Sequence, residues 1–250
     1  MGLPKPIYEV GFRNYRNSHL YTVADTHFKS VTSILNIIGG DKTNALMIWA
    51  RRAALSMTKE EIVKALNNGE AITETNLDEI LKKADRQPDK LKDEAADLGT
   101  LVHNAIDDYI LGKTPKVAPE ARLGFDNFMA WMRKSGVSII AGDTPVASVR
   151  WGFGGRLDAI GKIGDDFVIL DWKTSNKLRD TNALQVAAYA QAFSETYGVP
   201  LPDKGCVVRF GKTDPGDFEA KWVDMTQASH AWCFALSLYK SMKEELWVTE

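Results

Sequence analysis

The segment GGRLDAIGKIGDDFVILDWKT, residues 154–174, decides how the rest of the chain is read. Two runs rich in apolar and β-branched residues, 155–163 and 167–172, flank Gly164-Asp165, a dipeptide suited to a two-residue hairpin turn of the Gly-X kind. That turn places Ile163 opposite Asp166. Residues whose numbers sum to 329 then face one another, Asp158 and Asp171 among them. Side chains alternate along a strand, so Lys173 points to the same face as both acids. Leu157, Ala159, Ile160, Ile169, Leu170 and Trp172 surround them, which is the composition of strands buried on both sides.

Two carboxylates about 5 Å apart at an effective dielectric near 20 repel by roughly 3 kcal/mol before desolvation is counted. Something must neutralise them. A structural salt bridge from Lys173 is one solution. A divalent cation is the other, and oxygen ligands suit Mg²⁺ or Mn²⁺, which accept one or two carboxylates together with substrate phosphate. A hard ion beside an ammonium group suits phosphodiester hydrolysis, since the ion polarises a phosphoryl oxygen and acidifies water while the lysine offsets developing negative charge.

The length fits one large domain, or one domain with a helical extension. At 250 residues, 44% apolar and 26% charged, the chain excludes disorder and collagen-like repeats. No run approaches the ~18 apolar residues of a membrane span, and the start, MGLPKPIYEV, has no apolar signal core, so a cytoplasmic protein without membrane association is expected. Cys206 and Cys233 sit in apolar company and read as buried thiols. The net charge of −2 gives no bulk attraction to nucleic acid, but residues 1–69 carry nine Lys/Arg against five Asp/Glu. That basic third is the cradle for any bound polyanion.

Aromatic-rich short strands are expected in the first thirty residues. A helix from Val31 stops at Gly39-Gly40, and a second spans about residues 44–57. Thr58 with Glu61, and Asn76 with Glu79, form capping boxes for two further starts, and Pro88 fits the first turn of a long helix ending at Gly112. A helix over 119–135 follows. Strands are expected at 137–140, 145–150, 155–163, 167–172, 205–210 and 218–223, with helices at 180–197 and 226–246. The fold class is therefore α/β, a central mixed β-sheet flanked by helices, with a helical N-terminal region.

The ordered set Gly155-Arg-Leu-Asp158, Asp171-Trp-Lys173 and Gln185-Val-Ala-Ala-Tyr189 resembles the PD-(D/E)XK nuclease superfamily, in particular its RecB-like exonuclease branch of phage and mitochondrial type. Gly99-Thr-Leu-Val-His103 looks like that branch's helix-borne histidine. Val31-Thr-Ser-Ile-Leu with Trp49-Ala-Arg51 is similar to its N-terminal helical region. The resemblance implies a restriction-endonuclease-like core. It implies Asp158, Asp171 and His103 as ligands of Mg²⁺ or Mn²⁺, the Trp172 carbonyl as a further ligand, and Lys173 as the catalytic lysine.

By the same resemblance Gln185 and Tyr189, four apart on a helix, position the site or meet the DNA backbone. Arg51, Arg52, Trp49 and Ser33 are the other candidate DNA contacts, each with a bland alternative: solvated helix charges, a packed aromatic and a helix cap. Two features depart from the family. Residues 146–150, Val-Ala-Ser-Val-Arg, lack the acid that many relatives carry on the strand before Asp158, and two cysteines cannot hold an iron–sulfur cluster.

The expected activity is that of a metal-dependent DNA exonuclease acting on single strands or free ends in phage-type replication, recombination or repair. The rival readings are a structure-selective endonuclease on the same scaffold and a non-catalytic DNA-binding or partner-recruiting module. One domain is expected, with residues 1–98 a mainly helical region with a DNA-binding role and 99–250 the catalytic core.

Overall fold

The computed structural model describes residues 2–15, 18–38 and 40–243. Gly39, Trp247 and the expected end of the last helix beyond residue 243 lie outside them. The chain divides into two compact units, residues 1–38 with 101–250, and residues 39–100. The first 38 residues thus group with the core and not with the helices that follow them.

The larger unit is built on one eight-stranded mixed sheet. Its strands are β1 (Gly11–Tyr15), β2 (Ser18–Val23), β3 (Thr26–Ser30), β4 (Ser138–Ser148), β5 (Phe153–Ile163), β6 (Asp166–Lys173), β7 (Lys204–Phe210) and β8 (Phe218–Trp222). They run in the order β1-β2-β3-β5-β6-β7-β8, with β4 pairing β5 off this path. β5 is the hub: β4 and β6 pair with it antiparallel, and β3 meets its first residues in parallel, Lys29 with Phe153 and Ser30 with Gly154. The β5–β6 hairpin has the expected register, from Ile163 opposite Asp166 to Ala159 opposite Leu170, and Gly164 takes φ 61° at the turn. The next step of that series is Asp158 and Asp171.

The helix α5 (Asp180–Tyr197), which links the parallel strands β6 and β7, has the bounds its sequence announces, with Gly198 at φ 64° closing it. Val186, Tyr189 and Phe193 bury one side of it against a core that includes Leu157, Ile160, Ile169 and Val207. A second, aromatic cluster forms where α4 (Arg122–Ser135) brings Phe128 and Trp131 to Trp172 and Phe210, with ring centroids 5.3–5.8 Å apart. Trp172 is therefore a core anchor on the strand that carries Asp171 and Lys173.

Three expectations about elements are corrected. β4 is one strand, not two, because the turn-like residues Ala-Gly-Asp-Thr, 141–144, are absorbed by a register shift between Ile139 and Ala141 and by a left-handed Asp143 with φ 49°. The helix α2 (Gly40–Asn67) runs straight through Thr58, whose hydroxyl donates to the Ala54 carbonyl and caps nothing. The helix α3 (Glu74–Ile110) contains Pro88 in its interior, and its cap is Thr73, which exchanges bonds with Asn76. The closing helix α6 (Met225–Ser241) begins on Asp224, whose carboxylate accepts from the Gln227 N–H. Cys206 is buried as expected. Cys233 is exposed, because the apolar run around it winds about α6 and turns Phe234 outward too.

The smaller unit contains α2 and the greater part of α3. Ala65, Ile80 and Ala84 are buried, and Lys83 pairs with Glu61 at 3.1 Å. Leu46, Met47, Ile48, Leu55, Leu66 and Leu81 remain exposed. Among the described residues no helix is long and apolar enough to cross a membrane.

Candidate active site

β5 and β6 lie side by side because their residues are apolar on both faces and their turn is two residues long. The consequence is the juxtaposition of Asp158 with Asp171. Asp158 turns one oxygen, Oδ2, onto the Trp172 backbone N–H at 2.7 Å, a charge-assisted bond beyond the last ladder pair, Ala159 with Leu170. Its other oxygen faces Nδ1 of His103 at 3.6 Å. α3 supplies that imidazole through the stripe Val102, Ala105 and Ile106, which is buried and fixes the helix face. Lys173 forms an ion pair with Oδ2 of Asp171, in an orientation that leaves this oxygen without a well-formed hydrogen bond.

The electrostatics of the two acids diverge. Burial raises the pKa of Asp171 to about 6, with Lys173 lowering it and Asp158 raising it. Burial also works against Asp158, but His103, Lys173 and the Trp172 N–H overcome it and hold that carboxyl below its ordinary value. For His103 burial favours the neutral ring, yet the facing Asp158 carboxylate wins and the pKa is raised. Asp171 is thus a nearly inaccessible acid, 1% exposed, that its lysine only partly compensates.

That uncompensated oxygen is the test of whether a cation fits. The charged neighbours of Asp171 include the Asp158 carboxylate and the His103 imidazole, donors of the kind Mg²⁺ or Mn²⁺ accept. Among the described residues no group of three or more His, Cys, Asp or Glu side chains is arranged to hold a metal ion by itself. Mg²⁺ does not require one, since it retains waters and takes one or two carboxylates. By donor chemistry the carboxylates of Asp158 and Asp171 with the His103 imidazole suit such an ion.

Tyr189 and Gln185 close one side. Gln185 donates to the Tyr189 hydroxyl at 2.8 Å, and the ring is buried. Burial, with Asp171 and Asp158 adding to it, raises the phenol well above its ordinary pKa. Gly155 makes room for this ring, since a Cβ there would lie 2.3 Å from Tyr189 Cε1. Gly155 and Tyr189 are one packing unit.

The other sequence candidates have different placements. Trp49, Arg51 and Arg52 sit on α2 in the helical unit, all three exposed. Trp49 and Arg52 line a cavity of about 450 Å³ there with Ser56, Gln87 and Leu91. Ser33 is not the cap of α1 (Val31–Leu35): Ser30 is, accepting from the Ser33 N–H at 3.0 Å, while the Ser33 hydroxyl bonds Ser30 Oγ at 2.7 Å. Trp131 and Trp232 are core residues, and Trp222 is an exposed aromatic on the edge strand β8.

Four further residues near the cluster escaped the sequence reading. Asp107, one turn beyond His103 on α3, has its pKa raised to about 6, by burial first and then by Asp143, with Asp158 adding to it. Asp143 pairs in a fork with Arg156, and the buried Tyr21 has its phenol pushed up to about 12 by burial, with Arg156, Asp143 and Asp158 as its charged neighbours. The spacing of His103 and Asp107, four apart, was a legible signal. Asp143 was hidden in residues that read as a turn.

The model of the PD-(D/E)XK nuclease superfamily matches residues 125–237. No curated protein matches. Among solved structures, SSO0001 is 17% identical, covering 52% of this chain and 63% of its own, with a TM-score of 0.29. An alkaline exonuclease (LHK-Exo) from Laribacter hongkongensis is 11% identical over 58% of this chain and 82% of its own, with a TM-score of 0.28. This chain thus spans 63% of the length of the first. The stretch that bears Asp158, Asp171, Lys173, Gln185 and Tyr189 is thus similar to the PD-(D/E)XK nuclease superfamily, whose model matches less than half of the chain.

Proposed function

We propose that this chain is a metal-dependent deoxyribonuclease of the PD-(D/E)XK type, working as an exonuclease on single strands or free ends in DNA replication, recombination or repair. The observation that carries the reading is the convergence of His103, Asp158, Asp171 and Lys173 from one helix and two adjacent strands. A structural salt bridge needs only Asp171 and Lys173. It gives no reason for a second buried acid and an imidazole at the same place.

His103, Asp158 and Asp171 would hold Mg²⁺ or Mn²⁺, with the Trp172 carbonyl a further candidate ligand. When bound, the ion supplies Lewis-acid polarisation of phosphoryl oxygen and makes water more acidic. Lys173 donates its N–H groups to the attacking water or to the charge building on the phosphoryl oxygens. Asp171 orients that ammonium. Hydrolysis forms one bond from water oxygen to phosphorus and breaks one P–O ester bond, and the departing oxygen takes up a proton. Tyr189, with its raised pKa, stays protonated and is available as a hydrogen-bond donor to a phosphate, with Gln185 fixing its hydroxyl.

The test is a cleavage assay on end-labelled linear and circular single-stranded DNA with Mg²⁺, Mn²⁺ or EDTA. The expected result is loss of linear DNA with either ion, intact circles and no reaction in chelator. Cleaved circles would make the chain an endonuclease. Binding that ignores EDTA with no cleavage under any ion would make it a binding module.

A further inference from the structure

We infer that Arg156 is a substrate contact, a preset phosphate clamp beside the reacting centre. The inference deepens the nuclease reading and rests on it. Arg156 precedes Asp158 by two residues on β5, so strand alternation points both to one face about 7 Å apart. Two other groups corroborate the placement, since Asp107 and Tyr21 each have both Arg156 and Asp158 among their charged neighbours.

The guanidinium is held in place yet accessible. Asp143 grips it through a two-pronged ion pair, Nε to Oδ1 and Nη2 to Oδ2. The Phe12 ring lies 4.9 Å from the guanidinium carbon. Two of the five guanidinium N–H donors are used by Asp143, which leaves three for another acceptor. The side chain is 40% exposed, against 21% for Lys173, so it is the more accessible of the two basic side chains.

The neighbourhood also calls for such a group. Asp143, Asp158 and Asp171 on the sheet, with Asp107 on α3 beside them, crowd one region and would repel an incoming phosphodiester. A planar fork suits a phosphate better than a point charge does. Asp143 holds its side of the pair from a left-handed backbone, φ 49°, a conformation that non-glycine residues adopt rarely and that clusters at functional sites. The fixed guanidinium gives the reacting centre a second anchoring point one step along the strand from Asp158.

A purely structural role, tying β1 to β4 and β5, would cost stability but would leave the electrostatics of DNA binding alone. The discriminating measurement is the affinity for an end-labelled single-stranded oligonucleotide in EDTA over a series of KCl concentrations. Melting curves serve as the check on folding. Arg156→Gln, or Arg156→Met where Gln does not fold, should flatten the plot of log K against log[KCl] by about 0.7, one phosphate contact on a single strand. Arg156→Lys should keep the slope and bind more weakly. With Mg²⁺ the neutral variants should raise KM more than they lower kcat. A folded neutral variant with the wild-type salt slope overturns the clamp, even when the wild type cleaves DNA. A wild type that binds with the full slope and cleaves nothing overturns the nuclease reading instead.

Discussion

The sheet unit and the helical unit treat their large apolar residues in opposite ways. Around β5 and β6, Leu157, Ile160, Ile169, Leu170 and Trp172 are almost completely enclosed. On α2 and α3, Leu46, Met47, Leu55, Leu66, Leu81 and Trp49 stay open to solvent. Enclosure fixes rotamers, and fixed rotamers hold two acids, a lysine and a histidine within reach of one another. The helical unit buys no such precision, and its exposed side chains remain free to meet something else.

The contrast can be broken most severely at Trp172. Trp172→Ala removes the centre of the aromatic cluster and should cost about 3–5 kcal/mol, read as a lowered midpoint in urea. A loss near that of a surface residue would show that the enclosure is not what orders the site. Next in size is Lys173→Ala, which should reduce cleavage by about 10²–10³ or more while DNA affinity in EDTA persists. Undiminished turnover would remove Lys173 from the chemistry.

Asp107→Asn sharpens the comparison on the site's own electrostatics. Asp107 has a folded pKa raised to about 6 from 3.8, so its contribution to stability is full below 3.8 and is lost as pH rises through about 6. Melting in EDTA should therefore show the wild type gaining on the Asn variant as pH falls from 7 to 4. Allowing for partial exposure, the gain is on the order of 1 kcal/mol, ~2–4 °C for a chain of this length. Equal pH dependence in both proteins would remove the charge crowding at Asp107. Smallest is Trp49→Ala on α2, expected to change stability by about 0.5 kcal/mol or less. Weakened oligonucleotide binding in that variant would identify the open face as a stacking surface.

The hairpin was readable because two independent signals agreed, the Gly-X turn and the apolar runs, and together they fix register to the residue. α5 was readable for a similar reason, with a clear start and a glycine stop. Thr58 and Pro88 misled because local signals propose helix ends that a longer helix can override. Thr58 bonds back to Ala54, and Pro88 sits in a helix that continues on either side. Asp143 and Arg156 were not readable at all. Their pairing depends on a strand neighbour relation, Pro145 opposite Arg156, and on a backbone angle, neither of which leaves a mark on residue order.

The parallel contact of β3 with β5 joins Lys29 to Phe153. During synthesis the first three strands are made well before their place in the sheet exists. At about 5–20 residues per second, β1, β2 and β3 wait several seconds on the ribosome with an unpaired edge. Closing so long a loop is entropically slow, so this pairing belongs to a late stage of folding.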